Sequence, residues 1–404
     1  MKTSSSLTIF VFILVIIPLA VGFLLKPTDS FSPEEQRKLQ QFPEFKTDEF
    51  LDGTFSSKIN SYMNDQFPLR DVFVGAKSVS ESLLLKRENN GVLRGDNDQL
   101  AVRLFAANDG KVHPLSYSVP KTDLYYDEVV ADAAEALSKL SAGFAEHGID
   151  FAIMLPPRTV DVAASAFAYP DERSVTLTNR VSELLSGLNY IDMAGAFRAR
   201  FDAGEYVYYR TDHHWTALGA YYAYVEVMKS FGEQPHDIAE FERKTVSESF
   251  LGSTYSKAGY KDITPDRMEV FELPSLPSSS FVTERPYDRE LPCIDGLYKT
   301  AALSEKDKYP LYLGGTTAYA RVSLKSGEKR ETLMILGDSF ALSLAPMLAL
   351  HYDIEFVRLG DWSNVFAADG APDADKVLVV WNFENLITTT DLSRTRGIVK
   401  YYGE

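Results

Sequence analysis

The sequence predicts an α/β fold, a parallel sheet flanked by helices, set behind an apolar N-terminal segment. Three observations carry that prediction. Short, nearly continuous apolar runs recur at 149–155, 189–193, 332–336, 354–359 and 376–381, as strands buried on both faces require. Amphipathic stretches of helical length stand between several of them. Glycine and proline punctuate the transitions, as at Gly148 and the Pro156-Pro157 pair.

Leu7 to Leu25 is a 19-residue apolar run interrupted only by Thr8, Pro18 and Gly22. As a helix it would reach about 28 Å, close to the thickness of a bilayer's hydrocarbon core. It is long for a signal-peptide core, and Ala20-Val21-Gly22 is followed by further apolar residues, so an uncleaved signal anchor over 1–26 is expected. The alternative is a cleaved signal peptide and secretion. Either way, the chain after Lys26 is expected outside the cytoplasm.

Residues 27–120 read as a stalk or cap. Helices are expected at 55–64 and 71–85, and Asn89-Asn90-Gly91 marks a turn. A short strand is expected at 91–94, and a further turn at 95–98 leads into 99–105. The main region is 121–404. There, Val129, Ala133, Leu137, Leu140 and Phe144 fall at helical spacing within 126–147, and Gly148 suits a C-cap. Further helices are expected at 175–188, 215–231 and 340–351. Residues 232–330 are rich in Ser, Pro, Gly, Thr and charge, with a strand-like piece at 266–273. A stretch of that length is too long for a plain loop and reads as a partly β insertion.

Composition narrows the function classes. With 404 residues and 45% apolar content there is material for a large core. A formal net charge of -16 argues against nucleic acid, which needs clustered Lys and Arg. Cys293 is the only cysteine, so no internal disulfide is available, and it reads as a packing residue. His213 and His214 are adjacent, not at i, i+4 spacing, and no HExxH or cysteine pair accompanies them, so no metal is expected. No cofactor is expected either.

Two polar segments carry chemistry. Ser339 follows the strand 332–336 through Gly337 and Asp338, which delivers it to the carboxyl edge of the sheet with a helix behind it. Capping of that helix by Asp338 and Ser339 explains the same residues. In Thr211-Asp212-His213-His214-Trp215, residues two apart in an extended stretch share a face. Asp212 would then orient His214, and His214 would act as base on Ser339; helix capping by Asp212 is the competing explanation. His213 would point away, toward structure or ligand. Arg158, past strand 149–155, falls at the same edge and would bind an anionic group or form a surface salt bridge. Trp215 would stack on a sugar ring or pack in the core.

Segment order adds to this. In the SGNH hydrolase superfamily the serine motif follows the first strand, a glycine the second, an asparagine the third, and D-x-x-H comes last. Here the Asp-His segment comes first, followed by strand-Ser339, strand-Gly360 and strand-Asn382, which resembles a circular permutation of that cycle. Ser339 and Gly360 N–H groups with the Asn382 side chain then form a candidate oxyanion hole, with Asn385 competing for the asparagine role.

The residues also resemble the DHHW family, named for the tetrapeptide Asp212-His213-His214-Trp215. The matching segments are DQFPLR at 65–70, Thr211 to Thr216, FLGSTYSK at 250–257, KDKY at 306–309 and GDSF at 337–340. That family is related to exported SGNH-like proteins that O-acetylate alginate, with D-x-H before the serine. Their Asp-His-Ser triad maps onto Asp212, His214 and Ser339. This chain differs in having histidine between Asp and His, aspartate before the serine, and a different insertion. The resemblance implies an O-acetyltransferase acting on a cell-surface polysaccharide, supplied by a multispanning membrane O-acyltransferase. An acetylesterase or a non-catalytic glycan-binding protein of the same fold are the alternatives.

Overall fold

The computed structural model describes residues 2–32, 34, 37–103, 123–168, 172–287 and 292–402. The chain forms two compact units, one of residues 1–90 with 256–262, the other of 91–255 with 263–404. Residues 91–103, expected in the stalk, thus belong with the main region, and 256–262 of the insertion with the N-terminal unit. The expected boundary at 120/121 lies outside the described residues.

The N-terminal unit is helical. Helix α1 (Lys2–Leu25) contains the apolar run Leu7–Leu25, of which no residue is buried and which is long and apolar enough to cross a membrane. Helices α2 (Thr47–Leu51), α3 (Thr54–Asp65) and α4 (Arg70–Leu83) follow, the last two where the sequence places them. Asp65 at the end of α3 accepts from Arg37 Nη1 at 2.9 Å and from the Gln40 N–H at 2.8 Å, which ties the preceding strand-like segment to the helix.

The second unit begins with a small antiparallel pair, β1 (Val92–Arg94) and β2 (Leu100–Val102). In chain order there follow α5 (Asp123–Glu146), β3 (Asp150–Met154), α6 (Glu172–Leu185), β4 (Tyr190–Ile191), α7 (Ala194–Asp202) and α8 (Ala217–Ser230). Next come β5 (Glu242–Phe250), β6 (Asp266–Glu272), β7 (Phe281–Glu284), β8 (Tyr319–Leu324) and β9 (Thr332–Gly337). The chain closes through α9 (Ser339–Leu348), β10 (Asp353–Arg358), α10 (Trp362–Asp369), β11 (Lys376–Val380) and α11 (Phe383–Thr388).

Seven strands make one sheet in the order β7-β8-β10-β9-β11-β3-β4. The five strands from β10 to β4 run parallel, and β7 and β8 add to the edge antiparallel. All five apolar runs read from the sequence are these parallel strands. The insertion behaves differently from a separate module. Its first half is the β5–β6 hairpin, but its second half supplies β7 and β8 to the main sheet.

Period-two alternation divides the core between the sheet's faces. Leu333 and Ile335 of β9, Leu378 and Val380 of β11, and Ala152 and Met154 of β3 pack on the face covered by α8 and α9. Met334, Leu336, Val377, Val379, Phe151 and Ile153 pack on the other, against α5 and α6. Burial on both faces is why these strands read as unbroken apolar runs. Register aligns the strand ends, with Gly337 opposite both Arg358 and Val380, and Val380 opposite Met154. The parallel strands therefore end together, and the residues just beyond them share one edge.

Ile335 is fully buried at the centre of the middle strand. Ile335→Ala should lower unfolding stability by about 2–5 kcal/mol, seen as a lower urea midpoint for the detergent-solubilised chain.

Candidate active site

At the end of β9 the chain must turn directly into α9. Gly337 permits this, because a Cβ there would lie 2.8 Å from the Ala341 side chain. Asp338 is the N-cap of α9, its carboxylate accepting from the Phe340 N–H at 3.0 Å. The other carboxylate oxygen accepts from the Asn382 N–H at 2.7 Å and Asn385 Nδ2 at 2.8 Å. Burial raises the Asp338 pKa, although these hydrogen bonds oppose the rise. Asp338 thus fastens the end of β9 to the end of β11, and Ser339, at the first helical position, is left half-buried at the sheet edge.

The Asp-His segment is a closed loop rather than an extended stretch. Tyr208 and Trp215 form an antiparallel bridge across it, and the Tyr209 N–H donates to the His214 carbonyl at 3.1 Å. Asp266, fully buried, anchors the loop by accepting from the Thr211 N–H at 2.7 Å and the Thr211 hydroxyl at 2.6 Å. Thr216, not Asp212, caps α8. That leaves the Asp212 carboxylate for other use.

Asp212 accepts four hydrogen bonds. Oδ1 receives the His214 N–H at 3.0 Å and His214 Nδ1 at 2.5 Å; Oδ2 receives the Ser253 N–H at 2.8 Å and the Ser253 hydroxyl at 2.9 Å. Burial disfavours its ionisation. The charges of His214 and His213 and the hydrogen bonds outweigh that, holding the carboxyl well below the usual range. An ionised carboxylate only accepts, so the His214 proton sits on Nδ1. Nε2 then presents a lone pair to the Ser339 hydroxyl, whose Oγ lies 2.7 Å away. The structure therefore brings Ser339, His214 and Asp212 into one hydrogen-bond chain.

The His214 ring is sandwiched. Tyr309 stacks on it at 3.8 Å with an interplanar angle of 11°, and His213 lies at 3.8 Å. The Tyr309 hydroxyl donates within reach of the Ser339 carbonyl at 3.2 Å and Ser343 Oγ at 3.1 Å. Ser343, one turn after Ser339, also receives Trp215 Nε1 at 2.7 Å. Trp215 is fully buried, so the expected sugar stacking is corrected: the indole has no face to offer a ligand. It locks the loop that carries the histidines to the helix that carries the serine.

The remaining expected residues divide. His213 donates through Nδ1 to Ser253 Oγ at 2.8 Å, since the single Ser253 proton is used on Asp212. Its side chain stays 43% exposed, while desolvation of its inner edge and the charge of His214 push its pKa down. Arg158 forms a buried ion pair with Asp161, Nε to Oδ2 at 3.3 Å, rather than a surface one. Both line a small cleft with Thr159, Val160, Asn382 and Glu384. Asn382 caps α11, accepting from the Glu384 N–H at 2.8 Å and donating to the Pro156 carbonyl at 3.2 Å, so its side chain is engaged in structure. Gly360 packs beside the Asp391 carboxylate. Neither is in hydrogen-bond contact with Ser339. Asp212, His213 and His214 also bring ligand atoms within 4.8 Å of one another, but the Nδ1 edges and the carboxylate that would hold a cation are occupied by the hydrogen bonds above.

Sequence reasoning missed Ser253, Asp266, Tyr309 and Ser343. A signal existed for two of them, since Ser253 and Tyr309 lie in the FLGSTYSK and KDKY segments. Gly252 in the first of these is explained as well: a Cβ there would collide with the Asp212 side chain.

Comparison with known proteins places the chain in a family. A family model described as DHHW protein matches residues 35–98 and 189–358, more than half of the chain. The chain belongs to the DHHW family. The crystal structure of a DHHW family protein from Eubacterium siraeum DSM 15702 aligns with a TM-score of 0.52 at 17% identity, over 76% of this chain and 95% of that one. Bacillus cereus PatB1, solved with a sulfonyl adduct, aligns with a TM-score of 0.56 at 16% identity, over 74% of this chain and 97% of that one. At such identities these likenesses establish the fold alone, a mixed α/β unit built on a large, mostly parallel sheet. No curated protein matches the sequence.

A low-field imidazole N–H proton signal is expected in the NMR spectrum, from His214 Nδ1 on Asp212. It should vanish in Asp212→Asn and, through displacement of the carboxylate, in Gly252→Ala. Because the Asp212 pKa is lower folded than unfolded, its stabilising contribution is full above the ordinary aspartate pKa and lost as pH falls below it. Asp212→Asn should therefore flatten the acid limb of the stability curve measured by urea unfolding.

Proposed function

We propose that this DHHW protein is a membrane-anchored, extracytoplasmic O-acetyltransferase that places acetyl groups on a cell-surface polysaccharide. The observation that carries the reading is the unbroken chain from Asp212 through His214 to Ser339 Oγ. Ser339 attacks the acyl carbonyl carbon while its proton passes to His214 Nε2. The imidazolium so formed is balanced by the Asp212 carboxylate on Nδ1 and covered by the Tyr309 ring. His214 then returns the proton to the departing donor, leaving acetyl-Ser339. A sugar hydroxyl gives its proton to His214 Nε2, attacks the ester carbon, and releases Ser339 as the proton returns to Oγ.

The developing oxyanion is assigned to the Ser339 N–H at the first turn of α9, with the Gly360 N–H and the second N–H of Asn382 as further donors on the same edge. Arg158 and His213, lining the adjacent cleft, are assigned to substrate. In this reading residues 1–26 are the anchor, the rest of the N-terminal unit, to residue 90 with 256–262, is the stalk or cap, and 91–255 with 263–404 form the catalytic region. Acetyl groups would come from a multispanning membrane O-acyltransferase. Acetyl is favoured by the motif resemblance; the triad itself fits any small acyl group.

The decisive assay follows p-nitrophenyl acetate turnover by the solubilised chain with and without a soluble polysaccharide acceptor. Acceptor-stimulated turnover with acetylated polysaccharide as product is expected; acetate release alone would mark an esterase. Ser339→Ala and His214→Ala should each lose about 10⁶-fold in kcat and Asp212→Asn about 10⁴-fold. Parental activity in Ser339→Ala would remove the triad. A sulfonyl fluoride, the reagent class suggested by the adduct on PatB1, should modify Ser339 and spare the Ser339→Ala chain.

A further inference from the structure

Helix α4 is amphipathic the wrong way round for a water-soluble unit. Val72, Ala76, Val79 and Leu83 fall at i, i+4, i+7 and i+11, one continuous helical stripe. That stripe faces outward: Val72 is 63%, Val79 46% and Leu83 79% exposed. The inner side is small and polar, with Gly75 and Ser78 buried. The apolar surface extends past both ends of the helix, through Leu69 before it and Leu84 and Leu85 after it, all at least 63% exposed. A stripe this long and this exposed is an interaction surface.

Its position within the same unit says what covers it. The corner before α4 abuts the end of the apolar helix: a Cβ on Gly22 would lie 3.5 Å from Pro68 Cγ. Phe23 also meets Tyr62 of α3 edge-on at 5.9 Å. Phe67 and Phe73, with ring centroids 6.0 Å apart, flank that corner and are themselves exposed. Any lipid layer that takes α1 therefore reaches the start of α4. If α4 stood upright from there, its last turn would be about 20 Å out, beyond the headgroup zone, and Leu83 to Leu85 would face water. Lying flat satisfies the whole stripe.

We propose that α4 and the 67–69 corner lie in the headgroup–acyl boundary of the lipid layer crossed by α1, forming a monotopic collar around the anchor. This rests on reading α1 as a membrane helix. The collar fixes the anchor's exit in addition to tethering it.

The full chain in a Cys293→Ser background, carrying L69C, L83C or, as an exposed control in the second unit, E328C, is labelled with bimane. Each is reconstituted in phosphatidylcholine–phosphatidylglycerol vesicles with plain or brominated acyl chains. Labels at 69 and 83 should lose about half or more of their emission to brominated lipid, as groups about 5–10 Å into the boundary do, and the label at 328 should not. The chain retained through an alkaline carbonate wash with an unquenched label at 83 overturns the collar and leaves the anchor standing, whether a second copy, another protein or water faces the stripe. A chain stripped by carbonate overturns the anchor reading on which the collar rests.

Discussion

The Asp212 carboxylate is the constraint on which the site depends. It is buried, carries charge, and accepts four hydrogen bonds from two residues, the near neighbour His214 and the sequence-distant Ser253. A buried charge is tolerable only when its lone pairs are filled, so the loop carrying the histidines and the segment carrying Ser253 must close on each other. Asp266 repeats the device one residue upstream, seating Thr211. Together the two carboxylates give the loop a single conformation, and that conformation sets the tautomer of His214.

A second tie joins this loop to the nucleophile. Trp215 and Tyr309 converge on Ser343, one helical turn behind Ser339. The tetrapeptide that names the family thus divides its labour. Asp212 orients, His214 faces the serine, Trp215 anchors the loop to α9, and His213 completes the bond network at the rim. Capping and chemistry were posed as rivals for Asp338 and Ser339, but they cooperate. Because Asp338 takes the cap and the link to β11, Ser339 is free to point at His214.

The five parallel strands and the Asp-His-Ser set were legible because both rest on local or repeated signals, unbroken apolar runs and short polar motifs. What was illegible is non-local. Strands β7 and β8 are short and interrupt their apolar residues with Thr283, Glu284, Arg321 and Ser323, so they resembled insertion rather than sheet. Asp266 carries no motif, and its role appears only once the fold brings it to Thr211. The Asp212–His214 pairing was reached through the wrong geometry, an extended stretch in place of a bridged loop. Trp215 stayed open between two readings for a physical reason: an aromatic beside catalytic groups reads as platform or packing until its burial is known, and burial decides for packing.

The proposed chemistry stands or falls on Ser339, activated by His214, carrying the acyl group. The most direct test is rapid acid quench of the chain during reaction with p-nitrophenyl acetate, followed by peptide mapping by mass spectrometry. One acetyl group is expected on the peptide bearing Ser339, present in the parent and lost in Ser339→Ala and His214→Ala. Acetyl found on another residue, or undiminished labelling in the His214 variant, would contradict it.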